Sequence, residues 1–112
     1  MTTISRLRRA EFEAAERGAK RLHGKLFSVT IRESPGQHKV SCVVSKQVSG
    51  KAVERNELKR RCREIARDSL RDLPLPPRMC IIRAKKTAAQ ASFTDIKDDI
   101  GQLFSRIAYA RA

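Results

Sequence analysis

Aromatic residues are scarce in this sequence and long apolar segments are absent. Both features limit the classes of protein to which the chain can belong. Aromatic residues make up only 4% of the 112 residues, so stacking of nucleic-acid bases would depend on very few side chains. No apolar run approaches the roughly 20 residues that span a bilayer, and the polar start of the chain is unlike a secretory signal. We therefore expect a soluble, cytoplasmic protein without a membrane partner.

The three cysteines lack the spacing of a metal site. Cys42, Cys62 and Cys80 are far apart, and none belongs to a Cys-x-x-Cys motif or lies near a pair of histidines. Each occupies an apolar position of its segment, so we expect reduced, buried packing residues. His23 and His38 stand singly among basic and polar residues, and nothing supports a catalytic role for either.

Motifs of an autonomous enzyme are also missing. The sequence has no paired carboxylates at motif spacing, no nucleophile accompanied by a base and no glycine-rich loop that cradles phosphates. We therefore expect no catalytic residue, and no metal ion bound by the chain itself.

Positive charge is what the chain has in excess. Lys and Arg number 25 against 12 acidic residues, which gives a net charge of +13, and a hydrophobic fraction of 40% suffices for one modest core. We expect one domain, residues 1–112, that folds and attracts polyanions. Charge alone fits both a nucleic-acid backbone and an anionic membrane surface.

The first half of the chain predicts one helix and two strands. Residues 8–17 favour a short helix that Gly18 would cap, with Phe12 on its apolar side. Residues 26–32 and 39–45 are rich in β-branched and apolar residues and are separated by a turn-prone segment. They predict an antiparallel hairpin.

The second half predicts two longer helices around one strand. Apolar residues recur at helical spacing from Ala52 to about Leu73, where a proline cluster follows. Residues 79–83 form a short apolar run of strand length, and Ser92 with Asp95 resembles a capping box before the last helix. The order predicts an α/β sandwich in which two main helices cover one small sheet.

The positive charge is densest between residues 46 and 67. The basic residues there are Lys46, Lys51, Arg55, Lys59, Arg60, Arg61, Arg63 and Arg67. In a helix, one contiguous arc flanked by Arg55 would contain Asn56, Lys59, Arg60, Arg63 and Arg67. Roughly opposite would lie Leu58, Cys62, Ile65 and Ser69. We expect the apolar three to be buried and the basic arc to form one exposed surface.

This arc favours nucleic acid over an ordinary solvated helix face, because its charges have one sign. Guanidinium groups bind phosphate oxygens bidentately, and an Asn amide can bind a base edge or a ribose hydroxyl. Arg61 points elsewhere, toward Glu57 and Glu64, so we expect it to support the helix through ion pairs.

A known family has this motif. The run VSKQVSGKAVERNELKRRCREIAR, at 44–67, resembles the signature of the bacterial ribonuclease P protein component, with an Arg-Asn-x-x-Lys-Arg core at Arg55, Asn56, Lys59 and Arg60.

The resemblance covers nearly the whole chain. RLRRAEF at 6–12 is similar to the family's opening helix, CIIRAKK at 80–86 is similar to its last strand, and the closing helix matches in position.

The resemblance implies a protein cofactor of a ribonucleoprotein endonuclease that removes the 5′ leader from precursor tRNA. In this family the RNA subunit holds the catalytic Mg²⁺ ions and the protein binds that RNA through the Arg-Asn motif. The single-stranded leader lies in a cleft between the sheet and the first helix, and no protein partner is required. The implied fold is an α/β sandwich like the second domain of a small-subunit ribosomal protein. The basic helix lies on a left-handed βαβ crossover.

Two positions depart from the family pattern. Gln47 stands where a second lysine is common, and Glu16 lies near where another aromatic residue is often found. Phe12 and Phe27 remain as candidates for stacking in the leader cleft, and a place in the core is the alternative for both. The alternative functions are a structural RNA-binding protein, such as a ribosomal protein of similar fold, and an autonomous nuclease or DNA-binding protein.

Overall fold

The computed structural model describes residues 4–5, 20–33, 38–72 and 78–109, which form a five-stranded sheet, two α-helices and a short 3-10 helix. The strands are β1 (Ile4–Ser5), β2 (Lys20–His23), β3 (Phe27–Glu33), β4 (His38–Val43) and β5 (Arg78–Ala84). The helices are α1 (Ala52–Asp72), the 3-10 helix Lys86–Gln90 and α2 (Phe93–Tyr109). The helix predicted at residues 8–17 lies outside the described residues.

The strands lie in the order β1-β4-β5-β3-β2. β5 occupies the centre, parallel to β4 and antiparallel to β3. β1 pairs in parallel with β4 at one edge, and β2 pairs in antiparallel with β3 at the other. The short strands β1 and β2 were not predicted from the sequence.

The predicted hairpin of β3 and β4 is wrong, because β5 lies between these two strands. The reason is the apolar content of β5, in which Cys80, Ile81 and Ile82 are at most 1% exposed. Successive strand residues point to opposite faces, so β5 buries apolar side chains on both faces and is most stable in the middle of the sheet.

Helix α1 connects the parallel strands β4 and β5, which gives a βαβ unit. Both helices pack on the same face of the sheet, so the chain has the predicted α/β sandwich fold. The core between the layers contains Phe27, Val29, Ile31, Val40, Cys80 and Ile82 from the sheet, and Leu58, Cys62, Ile65, Leu70, Ile96, Ile100 and Phe104 from the helices.

Helix α2 is fixed at two places. The backbone N–H of Asp95 donates to Ser92 Oγ at 3.1 Å, which confirms the predicted N-terminal cap. One turn further on, the buried carboxylate of Asp99 accepts the backbone N–H groups of three consecutive residues at 2.9–3.1 Å, namely Lys25, Leu26 and Phe27.

The turn before β3 needs glycine. A Cβ atom on Gly24 would lie 2.7 Å from Asp99 Oδ2, which is closer than side-chain atoms approach one another. The carboxylate therefore reaches the turn only because position 24 has no side chain. Among the described residues, neither α1 nor any other helix has the length and apolar character needed to cross a lipid bilayer.

Candidate nucleic-acid interface

Helix α1 buries the side of its surface that the apolar spacing predicts. Leu58, Cys62 and Ile65 are 8%, 1% and 5% exposed, which confirms their place in the core. Ala66 and Leu70 are buried as well, so the apolar side is broader than the predicted stripe and reaches beside the basic arc. The arc therefore lies on the flank of α1 rather than directly opposite its buried side.

The exposure of the side chains decreases across the basic arc, from its solvent side to its side near the sheet. Asn56, Arg60 and Arg67 are exposed, whereas Arg55, Lys59 and Arg63 are half-buried along its edge. Lys46 and Lys51 are exposed in the segment that leads into the helix. These eight side chains place seven cations and one amide along one helix and its entry, and we call them the basic surface.

Hydrogen bonds order the entry to α1. One guanidinium nitrogen of Arg55, Nη1, donates to the backbone oxygen of Ser49 at 2.9 Å. Ser49 Oγ donates to Glu54 Oε1 at 3.2 Å and accepts the backbone N–H of Lys51 at 3.3 Å. Since guanidinium has five N–H donors, Arg55 can hold this loop and still bind an anion.

The predicted helix-supporting role of Arg61 is confirmed by its ion pair with Glu57, but Arg60, which was assigned to the RNA-facing arc alone, shares that role. Arg60 donates to Glu57 at 2.5 and 3.1 Å and to Glu64 at 2.9 Å. Arg61 donates to Glu57 at 3.0 Å. Both arginines are within helical reach of both glutamates, and their rotamers, which the sequence does not specify, decide the pairing.

The ion pair of Arg60 and Glu57 favours the charged form of both groups. The hydrogen bond between Arg60 and Glu57 lowers the pKa of the Glu57 carboxyl and raises the pKa of the Arg60 guanidinium. Both side chains are solvent-exposed, so this pair can open at little cost when another anion competes for Arg60.

The other face of the sheet forms a second basic surface, and its residues were not predicted from the sequence. On β3, Ser28, Thr30 and Arg32 alternate with the core residues. The strand registers extend that face to Arg21, His23, Lys39, Ser41, Met79, Ile81 and Arg83. Thr30 and Ile81 are buried at its centre and Arg21 is exposed at its edge. We call this the open sheet face, because neither of the described α-helices packs on it. The sequence alone does not reveal this face, because its residues come from four separate strands whose order is known only from the structure.

The stacking role considered for Phe27 is wrong. Its side chain is 0% exposed, lies in the core beneath the helices and points away from the open sheet face. The backbone N–H of Phe27 is bound by Asp99, which fixes the residue there. The other stacking candidate, Phe12, lies outside the described residues.

The cysteines and histidines do not form a metal site within the described part of the chain, where no group of three or more metal-binding side chains occurs. Cys42, Cys62 and Cys80 are free thiols, and the predicted burial is confirmed for Cys62 and Cys80, whereas Cys42 is half-buried at the edge of the core. His38 is buried and its Nδ1 accepts the backbone N–H of Arg78 at 3.3 Å. This hydrogen bond gives His38 a structural role, because it links the start of β4 to the start of β5.

Comparisons with known proteins agree on one family. The family model described as Ribonuclease P matches residues 1–108. The ribonuclease P protein component of Citrifermentans bemidjiense is 37% identical over 102 residues, covering 90% of this chain and 85% of that protein. The corresponding protein of Streptomyces avermitilis is 34% identical over 118 residues, with 96% and 94% covered.

Solved structures agree with the sequence relatives. The RNase P protein from Thermotoga maritima is similar with a TM-score of 0.79 at 27% identity, covering 90% of this chain and 96% of that one. The RNase P protein of Staphylococcus aureus, at 21% identity and the same TM-score, has the same fold over 91% of this chain and 94% of its own. With its basic helix, its sheet and nearly its whole length matched, the chain belongs to the ribonuclease P protein family.

Proposed function

We propose that this chain, as the protein component of the endoribonuclease ribonuclease P, binds the RNA subunit through the basic surface and the 5′ leader of precursor tRNA through the open sheet face. The observation that carries the proposal is the clustering of Asn56, Arg60 and Arg67 as exposed side chains on one flank of α1. Asn56 and Arg60 of the Arg-Asn-x-x-Lys-Arg motif are exposed here and its Arg55 and Lys59 lie half-buried along the edge, so the family motif lies on the basic flank of the helix.

Contact with a folded RNA fits the chemistry of the basic surface. Its arginines and lysines neutralise phosphates and release condensed counterions, which supplies affinity without reading sequence. Asn56, exposed between Arg55 and Arg60 on the arc, adds a group that can both donate to and accept from a ribose or a base. The surface is therefore suited to the backbone of a structured RNA.

Contact with a single strand fits the open sheet face. Hydroxyl groups of Ser28 and Ser41 and the cation of Arg21 suit a sugar-phosphate backbone, and Met79 offers an apolar contact for a base. Because α1 packs on the opposite side of the sheet, leader and RNA subunit would contact different sides of the protein. We further propose that the RNA subunit holds the catalytic Mg²⁺, that no further protein is required, and that the enzyme acts in the cytoplasm.

Reconstitution tests this function. The chain should raise the rate at which the cognate RNA subunit cleaves precursor tRNA at low Mg²⁺, and it should cleave nothing when the RNA is omitted. Cleavage by the chain alone would contradict the proposal in favour of an autonomous nuclease. No stimulation of the RNA at any Mg²⁺ concentration would contradict it in favour of a structural RNA-binding protein.

Substrates with leaders of different length can distinguish the role of the open sheet face from that of the basic surface. Arg21 and Lys20 are adjacent exposed cations on β2, but Arg21 pairs with Thr30 on the open sheet face and Lys20 pairs with Ile31 on the helix side. Arg21→Ala should weaken holoenzyme binding of a precursor with a long leader several-fold and spare one with a single-nucleotide leader. Lys20→Ala should affect neither substrate. Equal losses for both variants would show that the open sheet face does not hold the leader.

A further inference from the structure

Two thiols meet between the sheet and the basic helix. Cys42 on β4 and Cys62 on α1 have their Sγ atoms 3.0 Å apart, with the Cys42 S–H donating toward the sulfur of Cys62. The two residues are separated by 20 positions and belong to different layers of the fold. Their contact is therefore a product of packing between layers.

The distance is close to that of a covalent bond. A disulfide has an S–S length of about 2.05 Å, so the two sulfur atoms need to approach by only about 1 Å. Both are free thiols, and their side chains already converge. The separation of the sulfur atoms therefore favours a disulfide at this place.

The two thiols differ in access. Cys42 is half-buried, so a small oxidant can reach it from solvent, whereas Cys62 is 1% exposed. The pKa of Cys62 is raised well above its ordinary value by its hydrogen bond with Cys42 and by burial. Cys42 is therefore the thiol that reacts first, and Cys62 is placed to react with it second.

We propose that Cys42 and Cys62 are a modification site, at which a peroxide converts two thiols into a reversible disulfide that fastens α1 to β4. The Cys42 thiolate attacks one oxygen of hydrogen peroxide, the O–O bond breaks, and Cys42 sulfenic acid and hydroxide form. The Cys62 sulfur then attacks Cys42 Sγ and expels the second hydroxide. The two thiol protons convert both hydroxides to water, so two thiols and one peroxide give one disulfide and two waters.

Cys80 provides an internal control. It lies on β5, is 0% exposed, and burial raises its pKa to about 12. Because a protonated, inaccessible thiol reacts poorly with peroxide, Cys80 stays reduced while the pair is oxidised.

Thiol mapping of the full chain tests the site without any RNA, so its outcome is independent of the proposed function. After treatment with hydrogen peroxide and alkylation of the remaining thiols, the intact mass should show loss of two hydrogen atoms and one alkylated cysteine. Peptide mapping should identify a Cys42–Cys62 cross-link that dithiothreitol reverses. Cys80→Ser should leave the cross-link intact, and Cys42→Ser should abolish it.

Thermal melting gives a second readout. The oxidised chain should melt several degrees higher than the reduced chain, because a cross-link across 20 positions removes conformational entropy from the unfolded state. Cys42→Ser, which alters a half-buried position, should fold and show no such increase. Sulfinic acid at Cys42 without a cross-link, a disulfide that includes Cys80, or only intermolecular dimers would each overturn the proposal.

Discussion

At the scale of single residues, the proposed contact of Arg60 with RNA would compete with ion pairs that Arg60 already makes. In the protein alone its guanidinium is hydrogen-bonded to both Glu57 and Glu64, although the side chain is exposed on the basic surface. These bonds use three of the five guanidinium N–H groups and neutralise part of the charge of Arg60, so the two glutamates would weaken its attraction for a phosphate. We therefore expect the RNA affinity of the motif to depend on acidic residues as well as on basic ones.

Removing one competitor should tighten RNA binding. Glu57→Gln removes the carboxylate charge that pairs with Arg60 and Arg61, and we expect roughly fivefold tighter binding of the RNA subunit at low salt. Glu54→Gln is the control, since it removes the same charge three residues earlier without releasing Arg60. Filter binding of the two variants should rank Glu57→Gln above Glu54→Gln, and equal gains would show that only total charge matters.

His38 should make stability fall on the acid side. Burial, aided by the charge of Arg78, lowers the pKa of His38 below its ordinary value of 6.5. The unfolded chain thus takes up this proton at higher pH than the folded chain does. The stability that neutral His38 contributes is complete above about pH 6.5 and is lost as the pH falls toward the folded pKa.

Melting temperatures between pH 8 and pH 5 can check this loss. We expect a smaller decrease for His38→Gln than for the unsubstituted protein. His23→Gln, which changes an exposed histidine, should follow the unsubstituted protein. A pH profile for His38→Gln that matches the unsubstituted protein would contradict the assignment.

At the scale of elements, helices were easier to predict than strand partners. The bounds of α1 and the cap of α2 follow from local signals, namely helical spacing and the Ser92 side chain. Strand pairing depends on residues far apart in the chain, so the pattern of β3 and β4 alone could not reveal that β5 separates them. The apolar run of β5 did indicate a central strand, because the residues that point to either face of the sheet are apolar in it.

The anchor of α2 on the sheet should be one of the strongest polar contacts in the fold. Asp99→Ala leaves three backbone N–H groups of the β2–β3 turn without their acceptor, and we expect a loss of about 3 kcal/mol in the free energy of unfolding. The adjacent Asp98 is exposed, and Asp98→Ala should change stability by less than about 0.5 kcal/mol. Denaturant titration of both variants measures the difference, and similar losses would contradict the role of Asp99.

At the scale of the whole molecule, a net charge of +13 raises the question of whether RNA responds to total charge or to its placement. If the basic surface neutralises on the order of five phosphates, log K should fall with log salt at a slope of about −4 to −5. Arg67 is exposed on this surface, and Arg67→Ala should make the slope shallower by about one unit.

Lys97, exposed on α2, is the matched control, because Lys97→Ala changes the net charge equally at a position off α1. Its slope should stay close to that of the unsubstituted protein. Salt titrations that give the same slope change for both variants would mean that net charge, and not the flank of α1, determines binding.

The central place of β5 also sets an order of events during synthesis. A nascent chain emerges from its N-terminal end, and β2 and β3 can pair as soon as residue 33 is available. β3 and β4 have no common neighbour until residues 78–84 emerge, by which time all of α1 has been made. Until then the growing chain exposes strand edges and the apolar side of its most basic helix. The five-stranded sheet therefore cannot be complete until its central strand, one of the last segments to be synthesised, is available to pair with both β3 and β4.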